Sequence, residues 1–216
     1  MLEDDDIGKN FLFIISAPSG TGKTTLCRYL LGRYQNLVLS ISSTTRTPRE
    51  REVNEVDYFF TSNEKFEEQI KNNEFLEYAS VFDNYYGTPL KFVKDKLSEG
   101  KNILFDIDWQ GMKKIKQQNS FNISTVFLIP PSIDILRERL RGRGDSNEQI
   151  EKRIAGFQND AKMAGEYDYV IVNDDFNKTC FDVENIYNAE TQKYLRKYNI
   201  EHINNVLLKD RAFIKN

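Results

Sequence analysis

The sequence predicts an α/β protein built on a parallel sheet of five strands with helices packed on both faces. Three observations predict it. Short all-apolar runs recur along the chain, stretches of polar or helical sequence separate them, and the first run ends in a glycine-rich turn that opens a helix.

The run at 11–15, Phe-Leu-Phe-Ile-Ile, is apolar at every position, as a strand buried on both faces must be. A helix is expected over 22–34. Similar runs at 37–42, 103–106, 126–129 and 169–172 complete the five candidate strands. Between 42 and 89 the pattern changes to short aromatic segments, Tyr58-Phe-Phe60 and 77–82, around a helical stretch at 64–72. This reads as an inserted lobe with its own small mixed sheet. Farther on, Ile150, Ile154, Phe157, Ala161 and Ala164 fall at helical spacing, predicting an apolar stripe that faces the body of the protein. A last helix is expected over 177–198, with a frayed tail after it.

Composition sets bounds on function. A chain of 216 residues suits one fold unit with an insertion. Its 39% hydrophobic and 29% charged content, with a net charge of -3, fits a globular protein and lacks the basic excess that nucleic-acid binding requires. No apolar run approaches a bilayer span, and the start of the chain is acidic where a signal peptide would be basic. The expectation is a cytoplasmic protein, monomer or homodimer, with no membrane or nucleic-acid partner. Two cysteines, Cys27 and Cys180, and one histidine, His202, leave no disulfide framework, zinc spacing or histidine triad. They read as core residues and a solvated imidazole. The acidic segment from Glu3 to Asp6 reads as a solvated tail.

The segment Ala17-Pro-Ser-Gly-Thr-Gly-Lys-Thr24 matches the phosphate-loop pattern G-x-x-x-x-G-K-[ST], with Ala17 in place of the first glycine. It also stands where such a loop must stand, after a buried strand and before a helix, and so specifies a P-loop NTPase fold. Gly20 and Gly22 let backbone N–H groups converge on phosphate oxygens, and the helix N-terminus adds its positive end. Lys23 would reach the β and γ phosphates of ATP, and Thr24 would hold Mg²⁺. Asp106, closing the run Ile103-Leu-Phe-Asp106, is the carboxylate expected beside the metal, through water.

A phosphate loop does not by itself name the acceptor. The stretch Ser42-Ser-Thr-Thr-Arg-Thr-Pro-Arg49 holds Arg46 and Arg49 three residues apart, and guanidinium forks match phosphate oxygens bidentately. Tyr58 and Tyr86 can add phenolic donors to the same anion. An acceptor that is already a phosphate needs no general base, so the want of a candidate histidine is expected. A second basic group, Arg139, Arg143 and Arg153, suggests a lid that closes over the triphosphate.

Taken in order, the segments Ala17 to Thr24, Thr44-Thr-Arg-Thr-Pro-Arg49, Asn84-Tyr-Tyr-Gly-Thr88, Asp106-Ile-Asp-Trp-Gln-Gly111, Arg139-Leu-Arg-Gly-Arg-Gly144 and Val172-Asn-Asp-Asp175 resemble guanylate kinase. The resemblance runs from Phe11 to about Tyr198. It implies a core (11–41, 89–137 and 168–200), a GMP-binding lobe (42–88) and a lid (138–167), converting ATP and GMP to ADP and GDP, with dGMP also accepted. It implies that Ala17, Pro18, Ser19, Gly20, Thr21, Gly22, Lys23, Thr24, Thr25 and Asn173 surround ATP, with Asn173 toward the adenine. Ser42, Glu77, Thr88 and Asp108 would lie around guanine, Arg46, Arg49, Tyr58 and Tyr86 around the GMP phosphate, and Asp106 and Gly111 would also bind GMP. Lys23, Arg46, Arg139, Arg143 and Arg153 would be catalytic. The chemistry of the base agrees: guanine presents N1–H and N2–H₂ as donors, which a carboxylate such as Glu77 accepts, while adenine presents the opposite pattern. The chain departs from the family at Arg51 and Glu55, where glycines are common.

Two other readings stay open on sequence alone. A guanylate-kinase-like module that binds phosphopeptides would keep the fold but has no use for Lys23, Thr24 and the lid arginines. A P-loop kinase of another phosphorylated acceptor, such as a sugar phosphate, would not require the carboxylate pair Glu77 and Asp108.

Overall fold

The computed structural model describes residues 8–204 apart from Phe82 and Asn119. In chain order the elements are β1 (Leu12–Ser16), α1 (Lys23–Arg33), β2 (Leu37–Leu39), β3 (Ser43–Thr44), β4 (Phe59–Phe60), α2 (Asn63–Lys71), β5 (Phe75–Val81), β6 (Asn84–Pro89), α3 (Leu90–Ser98), β7 (Asn102–Asp106), α4 (Trp109–Gln117), β8 (Ile123–Ile129), α5 (Ile133–Gly142), α6 (Asn147–Ala161), β9 (Tyr169–Val172) and α7 (Phe176–His202). The acidic segment at 3–6, the end of the expected 77–82 strand at Phe82, and the tail from 205 lie outside the described residues.

Every residue of β1 is buried, so the strand must sit centrally with a covered surface on each side. The main sheet runs in the order β2-β7-β1-β8-β9, with all neighbours parallel. Alternation along β1 divides the core in two. Phe13 and Ile15 pack with Leu26, Cys27 and Leu30 of α1 and with Cys180, Val183, Tyr187 and Tyr194 of α7. Leu12 and Ile14 face the other way, onto Val93 and Leu97 of α3 and Met112 and Ile115 of α4. Each such buried side chain contributes about 1.5–3 kcal/mol on leaving water. Both cysteines are buried and free, and His202 is exposed in the last turn of α7.

A second, mixed sheet in the order β4-β3-β6-β5 is formed within the inserted stretch. Phe66 of α2 stacks on Phe75 and Tyr85 with ring centroids 4.3 and 5.1 Å away. Gly87 is required there. A Cβ at this position would stand 2.9 Å from Tyr78 Cβ and 3.0 Å from both the Glu77 carbonyl oxygen and the edge of Phe66.

Two expectations are corrected. The stripe Ile150, Ile154 and Phe157 packs on Leu136 and Leu140 of α5, a small cluster separate from the two main ones. Ala164 does not continue that stripe. Helix α6 ends at Ala161, and Ala164 belongs to a 3-10 turn, Ala164–Glu166, packed against the cluster on the α3/α4 side. The final helix also outruns its expected end, reaching His202; along it Tyr194 is buried against Phe11 and Tyr198 meets Gly8 and Lys9.

Glu190 of α7 is 4% exposed and accepts hydrogen bonds from Ser124 Oγ (2.5 Å), Tyr169 Oη (2.7 Å) and Lys193 Nζ (2.9 Å). Burial alone would raise its pKa, but these donors outweigh burial and hold the carboxyl below the usual range. A depressed folded-state pKa stabilises the protein above the unfolded pKa, and that stability is lost as pH falls through the folded value. Glu190→Ala should therefore cost about 2–4 kcal/mol at neutral pH in urea denaturation, by leaving the donors unpaired. The gap to wild type should narrow on acidification.

Candidate functional site

Parallel strands deliver the loops at their carboxyl ends to one edge of the sheet, where ligands of such folds bind. The loop at 17–22 leaves β1 there with Gly20 at φ +90° and Gly22 at φ +96°, conformations that glycine adopts without steric cost. A Cβ on Gly20 would lie 2.9 Å from Leu140 and 3.1 Å from Leu136, so the loop rests directly on α5. A Cβ on Gly22 would lie 2.9 Å from Asn173 Nδ2.

Asn173, 3% exposed, holds the loop in shape. Its Nδ2 donates to the Thr21 carbonyl (2.6 Å), its Oδ1 accepts from Thr179 Oγ1 (2.9 Å), and its N–H donates to the Ile129 carbonyl (2.8 Å). The side chain expected near adenine is thus engaged beneath the phosphate loop.

Helix α1 begins at Lys23 with no side-chain cap and no acidic residue in its first turn, which leaves an N-terminus suited to an anion. Lys23 Nζ is ion-paired with the Asp106 carboxylate. Asp106 ends β7 and is level with Ile15 of the neighbouring β1. Thr24 and Thr25 are exposed on the first turn of α1. One turn on, burial and then the Asp106 charge push the Cys27 thiol up to about 12, so it is inert as a nucleophile.

Two arginines reach this loop, Arg143 from the end of α5 and Arg153 from α6, and a third, Arg139 of α5, reaches Asn173 behind it. Arg143 Nη1 and Arg153 Nη1 both donate to Ser19 Oγ, at 3.4 and 2.5 Å, and Arg139 Nη2 donates to the Asn173 carbonyl at 3.0 Å. Arg153 is also paired with Asp145 at 3.2 Å. Two guanidinium groups on one neutral hydroxyl concentrate positive charge at the loop. Arg137, in the same basic run, instead pairs with Asp134 and Glu151 and is structural.

The second sheet brings the remaining residues together in two groups. Arg46 lies over the ring of Tyr58 (5.4 Å) and near Phe60 (6.0 Å), and Tyr58 meets Tyr86 at 6.1 Å. Its Nη2 donates to both oxygens of Glu52 (2.7 and 2.9 Å), and its Nη1 to the Thr47 carbonyl (2.8 Å). Glu52 raises the Arg46 pKa further, and the bond from Arg46, with the Arg49 N–H at 2.8 Å, holds the Glu52 carboxyl below the usual range. Within the divergent loop Glu55 adopts φ +67° and its N–H donates to the Tyr58 carbonyl at 2.8 Å. The turn is kept with a side chain where glycine would be unstrained.

In the other group, Glu77 and Thr88 are cross-strand partners, and Thr88 Oγ1 donates to Glu77 Oε1 at 2.8 Å, with Ser40 Oγ 3.4 Å from Thr88 Oγ1. Burial pushes the Glu77 carboxyl above its ordinary value, opposed by the Thr88 hydrogen bond and the Lys114 charge. Asp108 caps α4 by accepting from the Gly111 N–H at 2.9 Å, and Gly111 is packed so closely on Ile107 that a Cβ would sit 3.2 Å from its Cδ1. The Ser42 carbonyl accepts from Phe59 N–H at 2.9 Å, tying β4 beside β3.

Two short spacings join these groups. Asp106 and Asp108 share the turn after β7, linking the phosphate loop to the surroundings of Glu77. Tyr86 and Thr88 stand at alternate positions of β6, linking Glu77 to Arg46. Sequence reasoning missed Glu52, Ser40 and Thr179. An acidic residue inside the basic stretch after Arg46 was the one available signal. A cavity of about 1050 Å³ lined by Phe59, Phe60 and Phe92 contains none of these site residues.

Among the described residues no cluster of His, Cys, Asp and Glu could hold a metal ion alone. Beside the loop stand the Thr24 hydroxyl and the Asp106 carboxylate, hard oxygen donors that fit Mg²⁺ shared with a nucleotide's phosphates. No helix among them is long and apolar enough to cross a membrane.

Comparison with known proteins agrees with this geometry along most of the chain. A family model described as guanylate kinase matches residues 9–190. The guanylate kinase of Rickettsia felis is 50% identical over 186 residues, 86% of this chain and 96% of its own length. That of Clostridioides difficile is 43% identical over 195 residues, covering 90% and 95%. The crystal structure of guanylate kinase from Anaplasma phagocytophilum aligns with a TM-score of 0.64 and 34% identity, over 84% of this chain and 86% of that one. With the phosphate loop, the paired carboxylates and the arginine groups all present in the matched order, the chain belongs to the guanylate kinase family.

Proposed function

We propose that the residues gathered at this edge carry out the reaction of a guanylate kinase, transfer of the γ-phosphoryl group of ATP to GMP, in roles that follow from their positions. The observation that carries the reading is the continuity of the site. Asp106 with Asp108, and Tyr86 with Thr88, connect the loop that holds Lys23 to the Glu77 pocket and on to Arg46.

The 17–22 loop and the first turn of α1, with Thr24 and Thr25, bind the triphosphate, and Lys23 shifts from Asp106 onto its β and γ oxygens. Asn173 acts by fixing the loop. Thr24 and, through water, Asp106 would hold a divalent ion, which we take to be Mg²⁺ and which would supply neutralising charge to the phosphates. Arg139, Arg143 and Arg153 surround the transferring group, where developing charge is stabilised by fixed cations. The GMP phosphate takes Arg46, Arg49, Tyr58 and Tyr86, with Glu52 holding Arg46 aimed in advance. Guanine N1–H and N2–H₂ donate to Glu77, with Ser42, Thr88, Asp108 and the Gly111 turn around the base. The acceptor oxygen is ionised at neutral pH, so positioning replaces a general base. In this scheme 42–88 is the GMP-binding lobe, 138–167 the lid and the remainder the core, working in the cytoplasm.

ADP formation from Mg·ATP with GMP, dGMP, AMP, UMP or CMP tests the assignment. Rapid turnover is expected with GMP and dGMP alone, and equal turnover with AMP would remove the guanine site. Lys23→Ala should lower kcat by roughly 10²–10³-fold, as removal of a transition-state donor does, and leave GMP binding in place by calorimetry. Glu77→Ala should raise KM for GMP on the order of 10–100-fold through two lost charge-assisted hydrogen bonds. Protonated Glu77 no longer accepts both bonds, and its carboxyl is raised by burial. KM for GMP should therefore climb on acidification from a higher pH than an ordinary glutamate would give, and Glu77→Gln should abolish that limb.

A further inference from the structure

Strand β5 is the edge of the second sheet, so the peptide groups on its outer side have no strand partner. Two of them are taken by one helix. Gln118 Nε2 donates to the Leu76 carbonyl at 2.7 Å, and Lys114 Nζ donates to the Tyr78 carbonyl while its ammonium lies 5.5 Å from the centre of the Tyr78 ring. Lys114 and Gln118 are four residues apart and share a face of α4. The carbonyls they hold belong to the residues on either side of Glu77. Leu76 is also buried in the same apolar cluster as Met112 and Ile115 of α4, and the β5/β6 register shifts between Phe75 and Glu77, an irregularity of the kind that re-aims a side chain.

Helix α4 is thus capped by Asp108 at its start, and from Lys114 to its C-cap Gln118 it grips the strand on both sides of Glu77. Between helix and strand lies a cavity of about 540 Å³ lined in part by Glu77, Lys114 and Gln118. Leu76 anchors the strand to α4 by packing, and beside the cavity the two hydrogen bonds are what hold the backbone on either side of Glu77.

We propose that Lys114 and Gln118 are positioning residues for guanine recognition, holding the Glu77 carboxylate at a set distance from Asp108 and so setting affinity for GMP. The inference rests on the reading of Glu77 as the partner of guanine. The charge of Lys114 has a second effect. The groups that face Glu77 are the Thr88 hydroxyl and N–H from β6, and Asp108 and Lys114 from α4; Lys114 favours the ionised carboxylate while Asp108 and burial oppose it.

The test is steady-state kinetics with GMP varied at saturating Mg·ATP, for Lys114→Met and Gln118→Ala, singly and combined, in wild-type and Glu77→Gln backgrounds. The combined variant should raise KM for GMP by about tenfold, as loss of two hydrogen bonds predicts, with kcat nearly unchanged. Lys114→Met alone should move the acid limb of KM to higher pH, and Lys114→Arg should restore it. In the Glu77→Gln background the same substitutions should add little, because they act through the group already removed. An unchanged KM, or the same increase in both backgrounds, would overturn the proposal while leaving the role of Glu77 intact. Normal GMP binding by Glu77→Gln alone would instead overturn the reading beneath it, and the proposal with it. Both side chains are exposed, and the single variants carry the test if the pair fails to fold.

Discussion

The parallel direction of all five main strands is the constraint on which the rest of the molecule depends. It forces the ends of β1, β7, β8 and β9 onto one edge, where the phosphate loop, Asp106 and Asn173 become neighbours although they are far apart in sequence. Asn173 then holds the loop from below through the Thr21 carbonyl, and α5 supports it from the side through Leu136 and Leu140. The same α5 carries Arg139 and places Arg143 at its end. Loop shape and the supply of positive charge are thus set by shared contacts.

A second theme is that several key cations already have an acidic partner. Lys23 rests on Asp106, Arg46 on Glu52 and Arg153 on Asp145. Such pairs keep long side chains in place, yet partly exposed ion pairs are weak. A polyphosphate or monophosphate, with more charge and better-directed oxygens, can compete for them. Glu77 is the contrasting case, a carboxylate with no cation paired to it by hydrogen bond, held by the Thr88 hydroxyl and N–H with the Lys114 charge nearby.

Much of this was legible from residues alone. The all-apolar run at 11–15 could only be a central strand, and the two glycines before Lys23 marked the positive-φ turn. The arginines and tyrosines singled out in the insertion do come together, Arg46 over Tyr58 and Tyr58 against Tyr86. What the sequence did not disclose has physical reasons. The stripe at Ile150 has the period of a core-facing helix, and periodicity does not say which surface it meets; that surface is α5. Asn173 was placed by resemblance near adenine; the hydrogen bonds of its side-chain amide with Thr21 and Thr179 depend on the end of β9 meeting the phosphate loop, a long-range contact with no local signature. Lys114 and Gln118 read as ordinary polar positions on a helix, since an edge strand beside them cannot be inferred from α4 itself.

The central claim is that a single half-buried carboxylate in the second sheet selects the base for chemistry performed at the first. Comparing kcat/KM for GMP and for IMP, which lacks only the 2-amino group, in wild type and in Glu77→Gln tests it most directly. The account predicts that wild type prefers GMP by on the order of tenfold or more, as a site built to receive that donor should, and that the preference nearly vanishes in the variant. The same GMP-to-IMP ratio in both proteins would contradict it.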